Sequence, residues 1–188
     1  MTGRPAKHLV LVGLPGVGKS TVGRGVAENL RRRFIDLDTF IERSIGKSIG
    51  RIFEEDGESA FRIAEAEASA AAARMGASVI APGGGWVLNE AAKAHLLPCC
   101  RIIYLRVSPD MAVRRMGRGI ARRPLLYQAE DPEAVMRELF DARREMYERS
   151  AELTVETGAV SKAKVIARVV ELVLAAESNT SSTAGTND

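Results

Sequence analysis

The chain has 188 residues, 46% of them apolar and 27% charged, a size and balance that fit one soluble globular domain. A disordered chain, a fibrous repeat and a disulfide-stapled miniprotein are excluded, and a core of this size needs no metal or crosslink to hold it. The net charge is +3, from 27 basic and 24 acidic residues, a mild excess that does not argue for nucleic acid.

In chain order, Met1 to Lys7 reads as a loose N-terminus without the apolar stretch of a signal peptide. One domain is expected over 8–176. His8 to Val12 is strand-like, and Thr21 to Arg32 carries apolar residues at helical spacing, Val22 and Val26 four apart. Phe34 and Ile35 begin a second strand. Helices are predicted over Phe40–Ile45, Ile49–Glu54 and Ser59–Met75, then strands over Ser78–Ala81 and Arg101–Val107. Helices Pro109–Met116, Pro132–Arg149 and Ser161–Ala176 flank a fifth strand, Leu153–Glu156. Both prolines stand early in their helices, where a missing N–H costs little. Glu177 to Asp188, rich in Ser, Thr, Asn and Gly, reads as a disordered tail. Strands alternating with helices argue for a three-layer α/β/α domain around a central five-stranded parallel sheet.

No run of 18 or more uncharged apolar residues occurs, so a membrane span is excluded. Cys99 and Cys100 are adjacent, so a disulfide between them would be strained, and no Cys/His set has metal-ligand spacing. A monomer in a reducing cytoplasm is expected.

Gly13-Leu14-Pro15-Gly16-Val17-Gly18-Lys19-Ser20 matches G-x-x-x-x-G-K-[ST] in full, between a strand and a helix, as in P-loop NTPases. The glycines let backbone N–H groups of the loop, and of Thr21 behind it, surround a phosphate at a helix N-terminus. Lys19 would reach the β- and γ-phosphates, and the Ser20 hydroxyl would ligate Mg²⁺. A nucleoside triphosphate with magnesium is therefore expected, with no statement yet about the acceptor. Asp36 and Asp38 stand two apart at the expected carboxyl end of a strand. A period of 2 sends both to one face, at the edge where open parallel sheets bind ligands. One carboxylate could organise the magnesium shell while the other orients or deprotonates an acceptor hydroxyl. Taken alone, Asp38 could equally cap the next helix.

With the phosphate loop, the Asp36-x-Asp38 pair, Gly57-Glu58 with Phe61-Arg62 and Glu65, the glycines Gly83-Gly84-Gly85, Arg123-Pro124-Leu125-Leu126 and Arg143 to Tyr147, all in one order, the chain resembles the shikimate kinase family from about Leu9 to Ala176. The resemblance implies transfer of the γ-phosphoryl of ATP to the 3-hydroxyl of shikimate, a step of aromatic amino-acid biosynthesis. It implies that Asp38 contacts the ring hydroxyls as base or orienter, and that Asp36 acts near magnesium through water. Arg62 and Arg143 would bind the shikimate carboxylate, and Gly83, Gly84 and Gly85 would hold the ring. Pro82 stands where the family usually has threonine.

Chemistry supports these assignments. Arginine offers a carboxylate a planar fork and keeps its charge. Glu65, three residues on, can hold the Arg62 guanidinium, and a surface pairing of Arg62 with Glu65 or Glu58 is the plain alternative. Three consecutive glycines allow close backbone approach and positive φ. Trp86 could wall the acceptor pocket or anchor the core. Arg114, Arg115, Arg118, Arg122 and Arg123 flank Gly117 and Gly119, and about 117–128 reads as a lid over the phosphates that excludes water. Arg123 would neutralise charge on the transferred group, while Arg115 resembles the residue that packs on adenine. Two other readings remain, a gluconate-type small-molecule kinase and a shikimate kinase-like sensor without turnover.

Overall fold

The computed structural model describes residues 7–117, Leu126 and 129–182. The element order is β1 (His8–Val12), α1 (Lys19–Asn29), β2 (Arg33–Asp36), α2 (Leu37–Ile45), α3 (Ile49–Glu55), α4 (Gly57–Ala73) and β3 (Ser78–Ala81), then α5 (Glu90–Leu96), β4 (Cys100–Arg106), α6 (Pro109–Met116), α7 (Pro132–Ser150), β5 (Leu153–Glu156) and α8 (Lys162–Ser182). Single 3₁₀ turns at Trp86–Leu88 and Leu97–Cys99 bracket α5.

The five strands form one parallel sheet in the order β2-β3-β1-β4-β5. Every residue of β1 is buried. A strand covered on both faces is the signature of a sheet sandwiched between helix layers, and it explains the unbroken apolar run Leu9 to Val12. Helix α1 packs on β2 and β3 and against α8, while α7 packs on β4 and on the Trp86–Leu88 turn. All five strands run the same way, so the segments after β1, β2 and β3 emerge along one rim. Those segments carry the phosphate loop, the Asp36–Asp38 pair and the triple glycine.

Two expectations change. The tail does not begin at Glu177: α8 runs on to Ser182, and the Glu177 carboxylate pairs with Arg32 at 2.6 Å. Composition argued for disorder there, but the helix already in place extends at little nucleation cost. Asp36 and Asp38 also do not share a strand. Asp36 ends β2 and caps α2, its Oδ1 accepting from the Thr39 N–H at 3.2 Å, and Asp38 lies in the first helical turn. Strand parity therefore does not relate the two carboxylates; a helix start does. The N-terminal residues 1–6, the end 183–188 and most of the expected lid, including Arg118, Arg122 and Arg123, lie outside the described residues.

Candidate active site

The phosphate loop leaves the central strand and closes on helix α1. A Cβ on Gly13 (φ +141°) would stand 2.5 Å from the Leu105 carbonyl oxygen, and one on Gly16 (φ +83°) 2.4 Å from that of Ala112. Only glycine fits both the dihedral and the space. Leu14 between them and Val17 just after are buried, anchoring the loop to the core. The Lys19 ammonium donates to the Gly13 and Leu14 carbonyls at 2.8 and 3.1 Å, so the side chain folds back over its own loop. Ser20 Oγ donates to Asp36 Oδ2 at 2.7 Å. This bond joins the end of the loop to the end of β2 and sets two hard oxygen donors side by side. Thr21 follows, exposed, in the first turn of α1.

The triple glycine after β3 is the meeting point of the site. A Cβ on Gly83 would lie 3.0 Å from Asp38 Oδ1, one on Gly84 3.0 Å from Pro15 Cδ, and one on Gly85 3.0 Å from Arg62 Nη2. One three-residue segment thus touches the helix α2 carboxylate, the phosphate loop and the helix α4 guanidinium. None of the three takes a positive φ. Close approach, and not unusual dihedrals, is what makes glycine fit here.

Arg62 is held from three sides. Its Nη2 and Nε donate to Glu58 Oε1 at 2.9 and 3.2 Å, its Nη1 to Glu65 Oε2 at 2.9 Å, and Nη1 also approaches the Gly85 carbonyl at 3.5 Å. Burial opposes the guanidinium charge, but the bonds to Glu58 and Glu65 outweigh it and raise the pKa above its ordinary value. Glu65 is buried at 1% exposure while Arg62 keeps 25%, so the pair presents a fixed cation to solvent from a closed base. Both partners weighed from the sequence are therefore present together.

Arg143 lies on α7, the helix that reaches the same loop. Tyr147, one turn further along α7, donates its hydroxyl to the Gly84 carbonyl at 2.6 Å. Burial pushes the Tyr147 phenol up to about 12, against the charge and hydrogen bond of Arg143. Arg143 thus acts on the Tyr147 phenol, whose hydroxyl reaches the Gly84 carbonyl. Trp86 is fully buried and donates to Ser69 Oγ at 3.1 Å, which resolves its two readings in favour of a core anchor.

Arg115 is engaged by protein. It donates to Thr157 Oγ1 at 3.0 Å, to the Thr157 carbonyl, to the Gly158 carbonyl at 2.6 Å and towards the Val17 carbonyl at 3.5 Å. It thus clamps the phosphate loop to the segment after β5. Tyr147 belongs to the Arg143 to Tyr147 segment already read from the sequence, whereas Thr157 has no spacing that singles it out; a buried threonine just past a strand was its only signal. No group of three or more His, Cys, Asp or Glu able to hold a metal occurs among the described residues, and no helix there is long and apolar enough to cross a membrane.

A sequence model of the shikimate kinase family matches residues 15–174. The chain is 44% identical over 157 residues to a shikimate kinase from Thermobifida fusca, covering 84% of this chain and 88% of that one. It is 43% identical over 166 residues to one from Salinispora arenicola, covering 88% and 97%. In three dimensions it is similar to a shikimate kinase from Acinetobacter baumannii solved in complex with shikimate, with a TM-score of 0.85, 35% identity, and coverage of 90% of this chain and 94% of that one. Loop, carboxylates, glycines and arginines fall in one order on one sheet rim, and the chain belongs to the shikimate kinase family.

Proposed function

We propose that this chain transfers the γ-phosphoryl group of ATP to the 3-hydroxyl of shikimate, giving shikimate 3-phosphate and ADP. The observation that carries the reading is the triple glycine, which sets Asp38, Pro15 of the phosphate loop and Arg62 against three successive residues.

On this reading, the N–H groups of residues 13–21 wrap the phosphates at the N-terminus of α1. Lys19 turns from its loop carbonyls to the β- and γ-phosphates. Arg62, fixed by Glu58 and Glu65, and Arg143, fixed at Tyr147, take the shikimate carboxylate through planar, charge-assisted bonds. Gly83, Gly84 and Gly85 let the ring lie against backbone. That leaves the 3-hydroxyl facing Asp38, which orients it or accepts its proton. Arg123 on the lid offsets charge on the transferred group, and Arg115 braces the nucleotide side of the loop. Position and positive charge supply the acceleration, with no covalent enzyme intermediate.

Ser20 Oγ and Asp36 Oδ2, 2.7 Å apart, are hard oxygen donors of the kind Mg²⁺ takes, one or two at a time, beside phosphate oxygens and waters. Ser20 would hold the ion directly and Asp36 through water. When bound, Mg²⁺ neutralises charge on the β- and γ-phosphoryl oxygens. On this reading the chain works as a monomer in a reducing cytoplasm, a compartment that suits the free thiols Cys99 and Cys100.

The test is ADP release with shikimate, with gluconate and with no acceptor. The reading predicts release that depends on shikimate. A gluconate-dependent rate would favour the gluconate-type kinase, and tight shikimate binding without ADP would favour the sensor.

A further inference from the structure

We infer that Asn89 is a positioning residue for the acceptor site, holding the Glu65–Arg62 pair in its working geometry. The inference rests on the assignment of Arg62 to the shikimate carboxylate. Asn89 follows the Trp86–Leu88 turn, is 8% exposed and lies outside every motif of the chain. Its Oδ1 accepts from the Ala92 N–H at 3.1 Å, capping α5. That bond fixes which way the amide faces, because an acceptor must point at Ala92. Its Nδ2 then donates twice, to Glu65 Oε2 at 3.0 Å and to the Arg62 backbone carbonyl at 2.8 Å. Both donor positions of the amide and its oxygen are therefore engaged.

The Arg62 side chain and Asn89 meet on one carboxylate oxygen. Glu65 Oε2 accepts from Arg62 Nη1 and from Asn89 Nδ2, while the buried Oε1 has no partner among the described residues. A carboxylate with one oxygen doubly bonded and the other unpartnered is free to turn unless something outside the ion pair fixes it. Asn89 is the neutral group that does so. It binds the oxygen that holds the guanidinium and, through the Arg62 carbonyl, the helical turn that carries it. Because Asn89 also starts α5, the Arg62 guanidinium is referenced to two helices, α4 and α5, instead of one. The Glu65 carbonyl accepts in addition from Ser69 Oγ at 2.8 Å, which fixes its backbone but not its carboxylate.

The cap and the donor functions separate by substitution. Asn89→Ser keeps a good N-cap oxygen but is too short to bond both Glu65 and the Arg62 carbonyl, and Asn89→Asp keeps size and cap while setting an oxygen against two acceptors. Shikimate KM, ATP KM, kcat and melting temperature would be measured for both variants beside wild type and Arg62→Ala. The inference predicts a shikimate KM raised about tenfold for Asn89→Ser, with melting lowered only by the loss of its buried donor bonds, a larger rise for Asn89→Asp, and ATP KM and kcat changed far less. Asn89→Ala, losing cap and donor together, lowers the melting temperature further. A purely structural Asn89 predicts that the two cap-preserving variants keep the wild-type shikimate KM, and that result would overturn the inference while Arg62→Ala still raises it. An Arg62→Ala enzyme with unchanged shikimate KM would instead overturn the assignment of Arg62, and this inference with it.

Discussion

The Tyr147 hydroxyl donates to the Gly84 carbonyl at 2.6 Å, and Gly84 itself stands against Pro15 of the phosphate loop. One hydrogen bond therefore ties helix α7 to the glycine segment that Asp38, Pro15 and Arg62 all approach. Tyr147→Phe keeps the ring and its stacking on Tyr104, at 5.3 Å between centroids, but leaves the carbonyl without its donor. Stability should fall by about 1 kcal/mol and shikimate KM should rise, because Arg143 loses the hydroxyl that steadies it. Thermal melts and steady-state kinetics read both, and an unchanged KM would detach Arg143 from the acceptor site.

The three glycines should respond differently to a single methyl group. In Gly85→Ala the new carbon meets the Arg62 guanidinium, 3.0 Å away, and pushes it off its partners, whereas in Gly84→Ala it meets the Pro15 ring at the same distance. Gly85→Ala should therefore raise shikimate KM and spare ATP KM. Gly84→Ala should disturb both, since a proline ring in a tight loop cannot swing aside. Equal patterns for the two variants in a two-substrate kinetic grid would contradict the division of contacts.

Asp36→Asn offers a clean test of the magnesium side. Asparagine caps a helix as well as aspartate does, so α2 should persist, yet the charge beside Ser20 is gone. The magnesium concentration for half-maximal rate should rise about tenfold or more, with shikimate KM little changed. A magnesium titration of the rate checks it, and an unshifted midpoint would remove Asp36 from the metal's surroundings.

The sheet carries its own pH dependence. Burial lowers the pKa of His8 below its ordinary 6.5, a bond with the Ala73 backbone partly offsets this, and the nearby Arg32 charge lowers it further. The neutral ring accepts from the Ser78 N–H at 3.2 Å, bridging β1 and β3. As pH falls, the unfolded chain takes the proton first. The contribution is thus whole above the unfolded pKa and is lost as pH drops through the folded one. The melting temperature should begin to decline as pH falls through the unfolded histidine value of about 6.5, above the range where carboxylates titrate. His8→Asn should flatten that decline, and an equal slope in both proteins would exclude His8 as its source.

Much of this was legible in the residues. The phosphate loop is a local device, so its sequence fixes its form, and the strand runs Leu9–Val12 and Val79–Ala81 were readable because burial on both faces leaves no polar position. Asp36 and Asp38 were harder. Whether Leu37 continues a strand or starts a helix is decided by Asp36 accepting from Thr39, and parity reasoning assumed the strand. The triple glycine announced close approach, but only the fold says what approaches: one side chain from α2, one from α4 and a proline. Asn89 and Thr157 act through long-range bonds to distant elements, which leave no periodic trace. The α8 helix overran its expected end because Arg32, far away in sequence, supplies a partner for Glu177.

The most direct measurement is a crystal structure with ADP, magnesium and shikimate bound. The account predicts the shikimate carboxylate on Arg62 and Arg143, the ring against Gly83 to Gly85, and the 3-hydroxyl between Asp38 and the nucleotide's terminal phosphate. Shikimate seated with its carboxylate away from both arginines, or Asp38 turned from the phosphates, would contradict it.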